Sequence, residues 1–191
     1  MFENNDVDIT GWDLRKSLRL LQKSNAPLLE RIQSPILYKV DNTFLAEINE
    51  LANSQYSRIA TIHHYLSMAK KFMEELKEND QYKLKKFFYA LRSATACKWI
   101  LDREEIPPIE FQKMIDGIDI KSNLLQRIQE LIQLKSTIRE SYLHKGEKEL
   151  IDFIQSCINA SDQQRKSLPA SSGNMNDLNS FFLKMLSQND H

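Results

Sequence analysis

The chain has 191 residues, enough for one domain with a buried core, and its 26 Lys and Arg balance 26 Asp and Glu. That balance excludes a global field drawing it to nucleic acid or membrane, so any basic surface is local. Four glycines, five prolines and many Leu, Ile, Lys, Glu and Gln residues favour helices.

No apolar run reaches the length of a spanning helix. The opening Met-Phe-Glu-Asn-Asn-Asp lacks the basic and apolar regions of a signal peptide. A cytoplasmic protein with no membrane attachment is the expectation. Cys97 and Cys157 stand alone in the sequence, which reads as two buried thiols rather than a disulfide framework or a zinc knuckle.

Residues 6–10 alternate polar and apolar and predict a short strand. Thr10, with Asp13 three residues on, reads as the cap of a helix reaching about Lys23 that buries Leu14, Leu18 and Leu21. Asn25 caps a second short helix with Pro27 in its first turn. Ser34-Pro35 stops it, because the residue before proline avoids helical geometry. Residues 36–40 read as a strand or an ordered connection.

Helix dominates after Asp41. The spacing predicts a helix near 42–52 carrying Phe44, Ile48 and Leu51. A long one follows near 55–78 with Ile59, Ile62, Leu66, Ala69, Met73 and Leu76 on one face. Asn79-Asp80 breaks the chain before a helix near 81–103, and Pro107-Pro108 begins a short one ending near Asp116-Gly117. A helix over 122–143 carries Leu124, Leu125, Ile128, Leu131, Ile132 and Ile138. Gly146 marks a break before a core helix near 147–160. The expected organisation is a helical domain over 1–160, a polar linker over 161–175, and an amphipathic helix over 176–191 with Leu178, Phe181, Phe182 and Met185. The fold class is mainly α, a helical bundle with a short extended entry.

Three features could carry chemistry. Asp6 and Asp8 alternate on the predicted strand, so both can face one magnesium ion, which prefers oxygen ligands. With Asp13 they also suit a solvated tail and a helix cap, the reading composition alone favours. Lys85, Tyr89 and Arg92 fall at i, i+4 and i+7, opposite Leu84, Phe88, Leu91 and Thr95. An ammonium, a phenol and a guanidinium on one face suit a triphosphate, although such runs are more commonly solvated surface. Lys70 and Lys71 on the preceding helix reinforce either reading. His63 and His64 are adjacent and diverge by about 100° on a helix, so they do not clasp one metal.

Taken together, Asp8-Ile9-Thr10-Gly11-Trp12-Asp13-Leu14-Arg15-Lys16, Ser24-Asn25-Ala26-Pro27-Leu28-Leu29-Glu30 and Ser34-Pro35-Ile36-Leu37-Tyr38 resemble a known family. So do His64-Tyr65-Leu66-Ser67-Met68-Ala69-Lys70, Leu84 to Arg92, Trp99-Ile100 and Pro107-Pro108. The family is that of predicted nucleotidyltransferases of the DNA polymerase β superfamily associated with RNA repair, and the resemblance covers about residues 6–115. In that superfamily a Gly-Ser motif opens the site, an Asp-x-Asp pair supplies two carboxylates for magnesium, and a later strand supplies a third. Asp8 stands where the third belongs, the first two elements find no counterpart ahead of it, and no Gly-Ser occurs in the chain.

The resemblance implies two-metal transfer of a nucleotidyl group from a nucleoside triphosphate to an RNA or other acceptor. Asp8 would ligate the metal or orient the attacking hydroxyl, with Asp6 as a second ligand. Lys85 and Arg92 would contact the triphosphate with support from Tyr89, and Ser34 and Tyr65 would line the pocket. The leading expectation is a truncated or split nucleotidyltransferase, inactive alone or completed by a partner segment. Pairing along the Asp6–Thr10 edge, or self-association through that strand and the terminal helix, follows from it. One alternative is a non-catalytic helical interaction module. The other is a helical ribonuclease of the higher-eukaryote-and-prokaryote nucleotide-binding type, whose Arg-to-His spacing Arg139 and His144 meet, as Arg58 and His63 also do.

Overall fold

Each early helix begins where a side-chain oxygen meets an orphan backbone N–H. The structure, a computed structural model, describes residues 10–78, 81–139, 141–169 and 173–189. Residues 6–9 of the expected strand, with Asp6 and Asp8, lie outside them, and Thr10 belongs to no strand. Helix α1 (Leu14–Gln22) is capped by Asp13, whose carboxylate accepts from Lys16 N at 2.8 Å. The cap therefore sits three residues later than expected at Thr10, because an ionised carboxylate accepts more strongly than a hydroxyl. Asn25 caps α2 (Ala26–Ile32) as expected, accepting from Leu28 N at 3.1 Å.

Residues 36–40 form no strand and lie exposed, with Ile36 68% and Tyr38 98% accessible. Asp41 then caps α3 (Asn42–Gln55), and Ser57 caps α4 (Arg58–Lys77). The bend at Tyr56-Ser57 divides the two, and the expected Ile62, Leu66, Ala69, Met73 and Leu76 are all buried on α4. Strand β1 (Tyr82–Lys83) precedes α5 (Leu84–Arg103), and α6 (Phe111–Asp116) starts after the prolines rather than on them.

Helix α7 (Ser122–Thr137) stops well short of 143, because residues 143–144 leave it to form β2 (Leu143–His144), antiparallel to β1 with Tyr82 opposite His144. Gly146 (φ 93°) and Glu147 (φ 67°) then turn the chain into α8 (Lys148–Gln164). A 3₁₀ turn carries helical geometry on to Ser167, through residues expected to be linker. Helix α9 (Met175–Asn189) closes the chain. Among the described residues no helix is long and apolar enough to cross a membrane. Cys97 and Cys157 are free and buried, and burial pushes their thiols up to about 12 and about 11.

The bundle has two apolar cores. The larger joins α4, α5, α6, α7 and α8 around Phe87, Leu91, Ile100, Met114, Ile128 and Leu131. The smaller joins α1, α2, α3 and α9 around Leu21, Leu29, Ile48, Phe181 and Met185. A nine-residue helix is marginal alone, so α1 depends on burying Leu18 and Leu21, each contributing roughly 2 kcal/mol. Helix α2 serves both cores, giving Ala26 to the larger and Leu28 and Leu29 to the smaller.

Ser24 joins the end of α1 to the α3–α4 bend. Its buried hydroxyl donates to Gln55 O at 3.2 Å and accepts from Ser57 N at 2.8 Å. Ser24→Ala leaves a buried N–H unpaired and is expected to cost about 1–3 kcal/mol in urea unfolding. A loss near zero would show that the joint does not depend on this hydroxyl.

Candidate functional site

Helices α4 and α5 run antiparallel along one seam, marked by Phe72 stacked on Tyr89 at 5.0 Å and by the Glu75–Lys86 ion pair. On α5, Leu84, Phe87, Phe88, Leu91 and Thr95 point into the core, as the helical spacing requires. The opposite side presents Lys85 and Tyr89 to solvent, while Arg92 is half-buried.

Near the middle of α5, Arg92 reaches across to Glu30 on α2. Its Nη1 donates to Ile109 O at 2.8 Å and its Nη2 to Glu30 Oε1 at 2.9 Å. The same carboxylate oxygen accepts from the Tyr65 hydroxyl at 3.0 Å. Three residues on from Glu30, at the end of α2, Gln33 Oε1 accepts from Ile109 N at 3.3 Å. Two of the expected site residues, Tyr65 and Arg92, are thus brought together, and Glu30 is what joins them. Ser34 is not part of this node; its hydroxyl donates to Ile36 O at 3.2 Å and shapes a local turn.

The charges at this node are partly screened, since Arg92 and Glu30 are 24% and 28% exposed. Burial, followed by the charge of Glu30, raises the Tyr65 hydroxyl far above the ordinary phenol value, so it stays a donor. The His64 ring stands edge-on to Tyr65 at 5.2 Å, and burial lowers its pKa despite the nearby Glu30 carboxylate. Arg92 carries five N–H donors, of which two are used here. An arriving phosphate can take the others, in competition with Glu30.

Sequence reasoning singled out Tyr65 and Arg92 but not Glu30. The available signal was a carboxylate beside the apolar pair Leu28-Leu29 on a very short helix, where an unpaired charge is costly. Its partners lie 35 and 62 residues away, beyond any local pattern.

Elsewhere, His144 is 7% exposed with Nε2 2.9 Å from Glu147 Oε1 and Nδ1 3.3 Å from the Tyr142 hydroxyl. Both ring nitrogens are engaged by residues flanking β2, while Arg139 sits exposed beyond α7. A cleft of about 860 Å³ between α5, α7 and α8 is lined by Asp102, Asp119, Glu149 and Asp152 against Lys98 and Lys121, an unfavourable field for a triphosphate. Among the described residues no three His, Cys, Asp or Glu side chains come together as a metal site.

Glu30→Gln removes the charge that Arg92 faces and is expected to lower stability by about 1.5–3 kcal/mol. Asp152→Asn, at the exposed pair with Lys148, should cost under about 1 kcal/mol. Equal losses in urea unfolding would contradict a special role for the node. The lowered His64 pKa means the unfolded chain takes up the proton first. Stability is then full above the ordinary value of 6.5 and falls as pH drops through the folded value. His64→Gln should flatten that fall, and an unchanged profile would remove His64 as its source.

The family model described as the RNA repair pathway DNA polymerase beta family (RlaP) matches residues 2–184. A relative in Bacillus subtilis (strain 168), the uncharacterized protein YcgL, is 31% identical over 183 residues, covering 95% of this chain and 70% of the relative. No solved structure matches the chain. With the family model spanning nearly its whole length, the chain belongs to the RNA repair pathway DNA polymerase beta family.

Proposed function

We propose that this chain is a nucleotidyltransferase-like protein that binds a nucleoside triphosphate along the α4–α5 seam and does not transfer it by its own described residues. The observation that carries the reading is the alignment of Lys85, Tyr89 and Arg92 on one side of α5 in a chain of this family. Lys85 offers a point charge, Tyr89 a ring already stacked on Phe72, and Arg92 a fork held in place by Glu30. Lys71, whose ammonium lies 6.0 Å from the Phe72 ring, adds charge on the α4 side.

Transfer needs carboxylates that hold magnesium, and in this reading they come from Asp6, Asp8 and a further segment. The exposed Ile36, Leu37, Tyr38 and Val40 give an apolar edge beside α2 on which such a segment can pack. The same edge favours a second reading, a helical module that binds a partner without chemistry.

Isothermal titration of the whole chain with each Mg·NTP decides between them. Binding is expected, with Lys85→Ala weakening it roughly tenfold, about 1.4 kcal/mol, at unchanged thermal stability. Absence of binding, or indifference to Lys85→Ala, would favour the interaction module. Incorporation of labelled nucleotide into RNA by the chain alone would contradict the lack of transfer.

A further inference from the structure

Helix α1 and the residue after it carry a concentration of exposed positive charge. Arg15, Lys16, Arg19 and Lys23 are exposed there, and Arg31 at the end of α2 joins them. Among the described residues none of these five forms an ion pair with a carboxylate, whereas Arg58, Lys70, Lys86, Arg92, Lys98, Arg127 and Lys184 all do. Arg15, Arg19 and Lys23 follow one another at i, i+4 and i+8, a spacing at which like charges repel and weaken a helix. Lys16 and Arg31 converge on the single ring of Trp12, at 5.2 and 4.0 Å from its centroid. Asp13 lines the same surface as Arg15, Lys16, Arg19 and Lys23, so the stripe keeps an excess of positive charge that an anion would relieve.

Beside the stripe runs a cleft of about 410 Å³ between α1 and α9. Leu178 and Phe182 line it, Arg15 and Arg19 stand along its α1 side, and Gln22 and Asn179 add carboxamides. The Arg15 guanidinium lies 5.4 Å from the Phe182 ring. Guanidiniums beside an apolar, aromatic surface, with carboxamides that both donate and accept, match a phosphate joined to a base. An acidic peptide would use the charges but not the aromatic cleft.

We propose that the α1–α9 face binds single-stranded RNA, its phosphates along Arg15, Arg19 and Lys23 and one base in the cleft against Phe182. This deepens the nucleotidyltransferase-like reading by naming the acceptor, and the two fail separately because the faces share no residue.

The test is fluorescence anisotropy of the full chain with a short labelled single-stranded RNA of mixed sequence, titrated across salt. The chain is expected to bind, with affinity falling as salt rises. Arg15→Ala/Arg19→Ala should weaken binding at least about tenfold and reduce the log–log salt slope by about 1.4, two contacts at roughly 0.7 each. Lys148→Ala, at an exposed pair on α8, should leave RNA affinity unchanged. If the alanine pair fails to fold by circular dichroism, Arg19→Gln/Lys23→Gln carries the same expectation. No binding, unchanged affinity in the folded variants, or equal binding of polyglutamate or phosphatidylserine vesicles would overturn the proposal.

Discussion

The Glu30 carboxylate is the constraint on which the rest of the arrangement depends. It belongs to a seven-residue helix that gives side chains to both cores, and it ties that helix to Tyr65 on α4 and Arg92 on α5 through one oxygen. Among the described residues, Ala26 and the Gln33 bond to Ile109 N also tie this stretch to the larger core. The smaller core, built from α1, α2, α3 and α9, is thereby set at a fixed place against the α4–α5 seam. The Ser24 hydroxyl does the same work one turn earlier, joining the end of α1 to the bend before α4. Polar joints between two apolar cores fix geometry in a way that non-directional burial cannot.

That geometry decides which surfaces remain open. The outer side of α5 keeps Lys85 and Tyr89 in solvent, while Arg92 turns inward to Glu30. The α1 stripe faces away from the large core and keeps its cations without carboxylate partners among the described residues. Between α2 and α3 an apolar run from Ile36 to Val40 stays exposed. Three open surfaces of different chemistry suit a protein that meets a nucleotide, a polyanion and a further segment, the combination proposed for it.

Much of this was legible in the sequence because it is local. Asn25 with Pro27, Asp41 and the α4 stripe from Ile62 to Leu76 follow from capping chemistry and helical spacing over a few residues. The failures share a cause. Residues 143–144 pair with Tyr82–Lys83, some sixty residues away, and that pairing ends α7 early. Residues 161–167 read as polar linker, yet Ser161 is buried and its hydroxyl donates to Cys157 O, so helix continues. Asp13 displaced Thr10 as a cap through a difference in acceptor strength that residue type alone leaves close. Within the site, Tyr65 and Arg92 were visible as residue types on helix faces. Glu30, their common partner, depends on which helices meet.

The central claim is that the α4–α5 seam, positioned by α2, receives a nucleoside triphosphate. Amide hydrogen exchange of the full chain with and without Mg·NTP tests it most directly, because protection reports the binding face residue by residue. The account predicts slowed exchange in α2, along α4 near Tyr65 and Phe72, and along the first half of α5 from Lys85 to Arg92. Protection confined to the α5–α7–α8 cleft, or none at saturating nucleotide, would contradict it.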